Sequence, residues 1–430
     1  MTASLPTNQR PDASVRDYIV PALSGLMVAL GTAYPILTIG CLLMNVAYIL
    51  LARPAAVYML LFSLMPFALV YKVASFSGVS FFTILELLVV VVYTMKLRHF
   101  RKSFLMFLAV WAVYILLGSS SDPMEWLKQI LFPLLVYLFF NYERPTFKQV
   151  ILSLTLGLLL SSVMATFSEH IPELTAMIRL SRVWGVDDIV YRFSGLYPDP
   201  NYYSQELILS IVSLLGLYAY RQIDWKAIIL AGILTYFGIQ TASKSFILML
   251  ITVVLIFLLM LVRNKRNGEA ILVLLAGAVV VILVATGRIG IFNNMLVRLR
   301  EGDFTTGRTR IWGRYMTYFG DNMLRFLFGS GLTAGYYRGL AAHNSYIDLF
   351  YYYGLCGTTV LAGSVLRAVR LRREKRLLMN YVPLLCLMAM NMFLSCVTFF
   401  DFPFNIILVL YALQVDFRGE DTGLPPNDGE

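Results

Sequence analysis

The chain has 430 residues, of which 59% are hydrophobic and only 14% are charged, and its formal net charge is +10. A soluble domain carries about 25% charged residues, so this composition excludes an ordinary soluble domain and indicates an integral membrane protein. Because much of the positive charge lies in short loops between apolar segments, we interpret it as a topology signal, and no nucleic-acid partner is expected.

Apolar segments recur along nearly the whole chain, and most are long enough to cross a bilayer as a helix. They lie at residues 18–33, 36–52, 55–71, 79–96, 103–118, 127–141, 148–167, 201–220, 226–240, 245–262, 269–287, 342–366, 379–397 and 402–416. The predicted fold class is an all-α polytopic integral membrane protein with about 14 transmembrane helices, and the lipid bilayer is its first partner.

The segments divide the chain into five parts. We predict a cytoplasmic N-terminal tail at 1–17, a transmembrane bundle of about 11 spans at 18–287, C-terminal spans at 342–416 and a disordered cytoplasmic tail at 417–430. The remaining part, residues 288–341, is a long loop that is not hydrophobic. No small-residue cleavage site follows the first apolar segment, so it is predicted to be an uncleaved anchor.

Lysine and arginine separate the loops into two alternating sets. The basic set contains Lys96, Arg98, Arg101, Lys102, Arg144, Lys148, Arg221, Lys226, Arg263, Lys265, Arg266 and the cluster at 367–376. The positive-inside rule places these loops in the cytoplasm. The loops around Asp122, at 168–200, at Thr241, at 288–341 and around Asp401 then face outward, with Lys72 and Lys128 as minor exceptions.

All four cysteines, Cys41, Cys356, Cys386 and Cys396, fall inside predicted spans. Their spacing does not match a metal site, so we expect small buried hydrophobic residues without disulfides. No metal ion and no cofactor are predicted.

The loop at 288–341 has eight arginines and no lysine. They are Arg288, Arg298, Arg300, Arg308, Arg310, Arg314, Arg325 and Arg338, against Glu301, Asp303 and Asp321. A basic loop outside the cytoplasm runs against the charge rule, and the planar guanidinium suits bidentate phosphate recognition. Aromatic and leucine residues recur in it at near-helical spacing, which predicts one or two amphipathic helices on the outer membrane surface. A solvated helix face is the alternative interpretation.

Three further outward segments carry polar groups. Arg192 precedes a Gly/Pro-rich turn that ends at Asn201, and Lys244 lies in the tight turn Thr241–Ser245. These could equally be a helix start and an interfacial lysine. His343, one of three histidines, directly follows the arginine loop at the mouth of the next span. Histidine can act as a general base at neutral pH, and arginines can stabilise a pyrophosphate leaving group without a metal.

The ordered motifs R-x-S-G…P-N, S-K-S, G-R-x-x-I-W…G-S-G and H-N-S-Y-x-D-L…G-L-C-G resemble the bacterial O-antigen polymerase and O-antigen ligase superfamily. They span roughly residues 185–365, about 40% of the chain. The resemblance implies a GT-C-like glycosyltransferase in the bacterial cytoplasmic membrane, inverting and metal-independent. Its active site would face the periplasm or the outside, and donor and acceptor would be glycans linked to undecaprenyl pyrophosphate.

The resemblance also implies residue roles. His343 would be the catalytic base, and Arg192, Lys244, Arg308 and Arg310 would bind pyrophosphate. Asn201, Asn344 and Tyr346 would support them. Lys244 stands where the family often has arginine, and Tyr352 and Tyr353 stand where it often has a glutamate before Gly354. Asp348 is a substitute for that carboxylate, but five residues from His343 it should point to another helix face.

Three functions follow in order of preference. The first is polymerisation of repeat units into O-antigen, capsule or exopolysaccharide, with a chain-length regulator as a further partner. The second is ligation of glycan to lipid A core or another acceptor, for which the sequence carries no recognisable acceptor site. The third is a lipid-linked oligosaccharide flippase. That function would require charges buried within spans, whereas nearly all charges here lie at loop level, with Glu86 and Glu206 as the main exceptions.

Overall fold

The structure is a computed structural model. It describes residues 13–68, 70, 80–97, 99–118, 123–175, 181–182, 189–190, 192–288, 290–299, 307–370, 377–395, 402–415 and 417. Most of both predicted tails lies outside these residues, as do Lys72, Asp122, Arg300, Glu301, Asp303, Cys396, Asp401 and the basic residues between 371 and 376.

Eighteen α-helices lie in the described part of the chain. They are α1 Arg16–Gly31, α2 Pro35–Leu51, α3 Pro54–Leu64, α4 Phe81–Lys96, α5 Lys102–Leu116, α6 Pro123–Asn141, α7 Phe147–Thr166, α8 Pro172–Thr175, α9 Pro200–Ala219, α10 Lys226–Gln240, α11 Lys244–Arg263, α12 Asn267–Ala285, α13 Asn293–Leu299, α14 Arg308–Asp321, α15 Met323–Phe328, α16 Ser345–Arg370, α17 Leu378–Asn391 and α18 Phe402–Ala412. Short 3₁₀ turns occur at Met65–Phe67, Ser168–His170, Gly290–Phe292 and Tyr337–Gly339.

The described chain is helical except for one minimal ladder. Strand β1, Ser181–Arg182, pairs antiparallel with β2, Ile189–Val190, inside the predicted outer loop 168–200. This ladder is the one departure from the predicted all-α class. Each of the fourteen predicted apolar segments contains a helix.

Among the described residues, four helices are long and apolar enough to cross a membrane, namely α6, α7, α11 and α12. Six shorter apolar helices, α2, α3, α5, α10, α17 and α18, accompany them. The protein is thus a helical membrane protein by length and composition. The count of about fourteen spans stays a prediction.

The termini of helices α9 and α11 define the two ends of the bundle. Each has 20 residues, which corresponds to about 30 Å, the thickness of the hydrocarbon core of a bilayer. At their C-terminal ends, Asn264 donates to the carbonyl of Ala219 at 3.0 Å, and Arg266 donates to that of Tyr218 at 2.6 Å. The predicted cytoplasmic loops that follow α9 and α11 therefore lie together at one end, and the N-termini of α9 and α11 lie at the other.

Helix α9 is the centre of the bundle. Of its 20 residues, 17 are buried, and it contributes to a hydrophobic core built also from α1, α3, α7, α11, α17 and α18. Its buried residues include the polar Ser204, Gln205, Glu206, Ser210 and Ser213 beside the apolar ones.

Helices α14 and α15 confirm the amphipathic helices predicted in 288–341. Tyr315 and Phe319 of α14 are buried in a second hydrophobic core with Trp111 of α5 and Tyr352 of α16. Trp312 donates its indole N–H to the carbonyl of Ala342 at 2.9 Å, and Tyr315 donates to that of Leu340 at 2.8 Å. The arginine-rich segment is thereby anchored on the residues that precede His343.

Helix α16 is broken at Gly354, whose φ of 63° lies outside the helical region. The break frees carbonyl groups of the preceding turn. Ser330 N–H donates to Tyr351 O at 2.7 Å, and Gly331 N–H donates to Tyr352 O at 3.1 Å. The backbone of the G-S-G motif therefore hydrogen-bonds to the helical turn just before the G-L-C-G motif, and we call this contact the backbone joint. The buried Tyr352 and Tyr353 pack there.

The cysteines follow their prediction only in part. Cys41 and Cys386 are buried as expected, whereas Cys356, just beyond the break at Gly354, is exposed. The prediction of burial was wrong for Cys356 because the second half of α16 presents that face away from the described protein.

Candidate active site

The N-termini of three long helices lie together at the end of the bundle that is predicted to face outward. Asp199 is the N-cap of α9, Ser243 precedes α11, and Asn344 caps α16 by accepting from the backbone N–H groups of Tyr346 and Ile347. Amphipathic α14 also begins here, after Gly307 with a left-handed φ of 79°. Helix N-termini carry partial positive charge and unpaired N–H donors, so their convergence favours an anion.

Arg192 ties two of these helix starts together. Its Nε donates to the carbonyl of Thr241 at 2.9 Å, and its Nη2 donates to Oδ1 of Asn201 at 2.9 Å. The same Oδ1 accepts from the hydroxyl of Ser243 at 2.9 Å. The motifs R-x-S-G, P-N and S-K-S thus form one hydrogen-bonded cluster, in which Arg192 and Asn201 have a structural role beside any contact with phosphate.

Arg308 lies at the start of α14 and is half-buried. Its guanidinium carbon is 6.0 Å from the ring centroid of Phe393, within range of a cation–π interaction. Burial lowers the pKa of Arg308, the charge of Asp199 opposes that shift, and the charge of Arg298 adds to it. An arginine stays protonated at neutral pH, so Arg308 brings a full positive charge into a partly desolvated place.

Arg298 comes from α13 and reaches the same region from another side. Its Nη1 donates to the carbonyl of Ala242 at 2.9 Å, in the turn between α10 and α11. Arg192, Arg298 and Arg308 therefore surround the starts of α9 and α11. Three guanidinium groups at three helix starts provide the charge that a pyrophosphate needs.

His343 lies between the arginine-rich segment and α16. Its backbone is left-handed, with a φ of 50°, and its N–H donates to the hydroxyl of Ser395 at 2.8 Å. Burial lowers the pKa of the imidazole, the charge of Arg308 lowers it further, and the charge of Asp199 raises it. With a pKa below the ordinary 6.5, His343 is neutral at pH 7 and able to accept a proton.

The platform segment, residues 393–395 after α17, contacts α9, the backbone of His343 and the start of α16. Tyr202 of α9 donates its hydroxyl to the carbonyl of Ser395 at 2.8 Å, and Ser345 donates to that of Leu394 at 2.7 Å. The hydroxyl of Ser395 also hydrogen-bonds to Asp348. Asp348 is therefore connected to the backbone of His343 through Ser395.

The remaining predicted residues lie around this centre. Lys244 is the first residue of α11 and is partly buried, and Tyr346 donates its hydroxyl to the carbonyl of Met388 at 2.8 Å. Arg310 is exposed. Residues two apart do not share a helix face, so Arg310 lies on a different side of α14 from Arg308. Arg288, Arg314, Arg325 and Arg338 are exposed as well.

Sequence reasoning missed Asp199, Arg298 and Ser395. Asp199 carried a usable signal, because an aspartate before Pro-Asn at a span entrance is a typical N-cap and follows Arg192 closely. Arg298 differs in no local way from the other arginines of its loop. Ser395 belongs to no motif and reaches His343 across 52 positions of the chain.

The described residues include no group of three His, Cys, Asp or Glu side chains that could hold a metal ion. The charged side chains placed here are the three arginines and Asp199, whose charge acts on both Arg308 and His343. Such a site can hold an anionic group and accept one proton beside it.

Comparison with protein-family models, curated proteins and solved structures returns no match for this chain. The resemblance to the O-antigen polymerase and ligase superfamily therefore rests on the motifs alone and stays a prediction.

Proposed function

We propose that this chain is a glycosyltransferase that polymerises oligosaccharide repeat units linked to undecaprenyl pyrophosphate. It works on the outer face of the cytoplasmic membrane, and the product is an O-antigen, a capsule or an exopolysaccharide. In this proposal, His343 removes the proton of the acceptor hydroxyl while that oxygen attacks the anomeric carbon of the donor. The bond from this carbon to the pyrophosphate breaks, and undecaprenyl pyrophosphate leaves with the bonding electrons.

One observation carries the proposal: the half-buried side chains of His343 and Arg308 interact electrostatically beside the N-termini of α9 and α11. The base has to remain unprotonated although it lies close to the site that binds the leaving group. The positive charge of Arg308 satisfies both needs, because it attracts pyrophosphate and lowers the pKa of His343.

In this mechanism, two arginines stabilise charge and a third has a structural role. Arg308 and Arg298 stabilise the negative charge that develops on the pyrophosphate, and no metal ion is required for that. Arg192, with Asn201 and Ser243, holds the starts of α9 and α11 at a fixed separation. Lys244 adds a point charge at the start of α11.

The test uses purified protein in detergent, where there are no separate compartments and transport has no meaning. The donor is the cognate undecaprenyl-pyrophosphate oligosaccharide, extracted from cells that lack this chain. We expect a ladder of longer glycans together with released undecaprenyl pyrophosphate.

The other outcomes each name a different function. If donor alone gives no ladder and a single product forms when lipid A core is added, the chain is a ligase and not a polymerase. No glycan transfer in either reaction, with transbilayer movement of the donor in proteoliposomes, would replace it with a flippase.

A further inference from the structure

The helix turn that Asp199 caps and the backbone of His343 both bind Ser395. Asp199 caps α9, and its Oδ1 accepts from the backbone N–H of Asn201 at 2.7 Å. In the same first turn, Tyr202 donates to the carbonyl of Ser395, while Ser395 accepts from the backbone N–H of His343. The first turn of α9 and the backbone of His343 thus dock on either side of Ser395.

The charged groups around His343 differ in whether their charge acts on its imidazole. Titratable and charged groups come from the starts of α9, α14 and α16 and from α13, and they are Asp199, Tyr202, Arg298, Arg308, Tyr346 and Asp348. The platform segment 393–395, Phe-Leu-Ser, adds none. Asp348 is engaged with Ser395. The carboxylate whose charge acts on the imidazole is that of Asp199.

We propose that Asp199 is the electrostatic partner of His343, a positioning residue that stabilises the imidazolium formed when the acceptor proton is taken up. The proton moves from the acceptor hydroxyl to His343, the new positive charge is balanced by Asp199, and the electron pair leaves with the pyrophosphate. This inference rests on the proposed function.

The charge of Asp199 is separable from its capping role. Asparagine caps a helix about as well as aspartate, so Asp199→Asn keeps the hydrogen bond to the N–H of Asn201 and removes the charge. Asp224→Asn is a matched control, because Oδ1 of Asp224 accepts from the N–H of Lys226, also two residues on, at the opposite end of the bundle.

The first measurement needs no substrate. The chain has only three histidines, His99, His170 and His343, so the ring signals can be followed by NMR during a pH titration and assigned with a His343→Ala variant. Asp199→Asn should lower the pKa of His343, and Arg308→Gln should raise it, because they remove charges of opposite sign. Asp224→Asn should change neither the His343 titration nor turnover.

The second measurement is the rate against pH. Loss of one pKa unit of imidazolium stabilisation corresponds to about a tenfold effect. We expect Asp199→Asn to lower the plateau rate by about ten- to a hundred-fold and to move the acidic limb of the profile to lower pH. Asp199→Ser, which also caps a helix without charge, should do the same and guards against a folding defect in one variant.

An unchanged His343 titration in both Asp199 variants would overturn the inference, whatever the rate. A lower rate with an unshifted acidic limb would leave Asp199 as a helix cap only. These results are distinct from failure of the proposed function, in which the wild-type chain transfers no glycan or His343→Ala transfers it normally.

Discussion

At the scale of single residues, the backbone of His343 is the least expected feature. A left-handed conformation is uncommon outside glycine and costs about 1–3 kcal/mol at a functional site, so the surroundings have to maintain it. The Ser395 contact and the cap formed by Asn344 do this from the two sides. The sequence predicted the residue and its place beside the arginines. It could not predict the conformation, because Ser395 is remote in sequence.

Arg308 gives the first prediction at this scale. Arg308→Lys keeps the positive charge but loses the planar fork, so we expect it to lose much of the activity that Arg308→Gln loses. Turnover with the carrier-linked donor is the measurement. Arg310→Gln is the matched control, because its guanidinium is exposed on another face of the same helix, and it should retain most of the activity. Equal, wild-type turnover in all three would identify α14 as a solvated face.

The pH profile gives the second. Because burial and Arg308 lower the pKa of His343, activity should persist below pH 6.5 and fall only when the pH drops through the lower value. In Arg308→Gln the residual activity should fall at a higher pH than in the wild-type chain. An acidic limb that stays in place in this variant would show that Arg308 does not act on the imidazole.

At the scale of elements, the joint between the segment 329–333 and α16 explains two motifs that the sequence left without a reason. Leu332 N–H donates to Tyr114 O at 2.8 Å and Thr333 donates to Ile115 O at 3.0 Å, so the same segment also closes the end of α5. The periodicity of 308–328 was enough to predict α14 and α15. The joint was not predictable, because it depends on backbone groups brought together from three distant segments.

Glycine substitutions test this joint. A Cβ at Gly329 would collide with the carbonyl of Tyr352 and come within 2.7 Å of the backbone nitrogen of Gly354, and the φ of 81° is unfavourable for alanine. We expect Gly329→Ala to reduce stability by about 1–3 kcal/mol or more, measured as a lower thermal unfolding midpoint in detergent. Gly335→Ala, which meets nothing within 4 Å, is the control and should unfold like the wild-type chain. The same midpoint in both variants would show that the close packing at Gly354 is not needed.

At the scale of the whole molecule, charge distribution and hydropathy predicted which loops share an end. The contacts of Asn264 and Arg266 with the end of α9 agree with that grouping, and the site lies about 30 Å away along the same helices. Hydropathy predicted the apolar helices but not their lengths, and six of them are shorter than the roughly 20 residues that a bilayer requires.

Cysteine labelling tests the orientation. In a background where Cys356 is replaced by Ser, Gly313→Cys on exposed α14 should react with an impermeant maleimide in intact cells. Asp224→Cys should react only after the inner membrane is opened. The reverse pattern would put the site on the cytoplasmic side, where the proposed transfer to an outer-face acceptor could not take place.

The most direct measurement is turnover of the purified chain in which His343 is replaced, with donor binding measured on the same samples. His343→Asn is the preferred variant, because asparagine tolerates the left-handed backbone, and His343→Ala accompanies it. Removal of a general base should lower glycan transfer by about a hundred- to ten-thousand-fold, while binding of the pyrophosphate carrier to the intact arginines persists. His99→Ala and His170→Ala should remain active. A normal polymer ladder from folded His343→Asn protein would contradict histidine-based catalysis at this site.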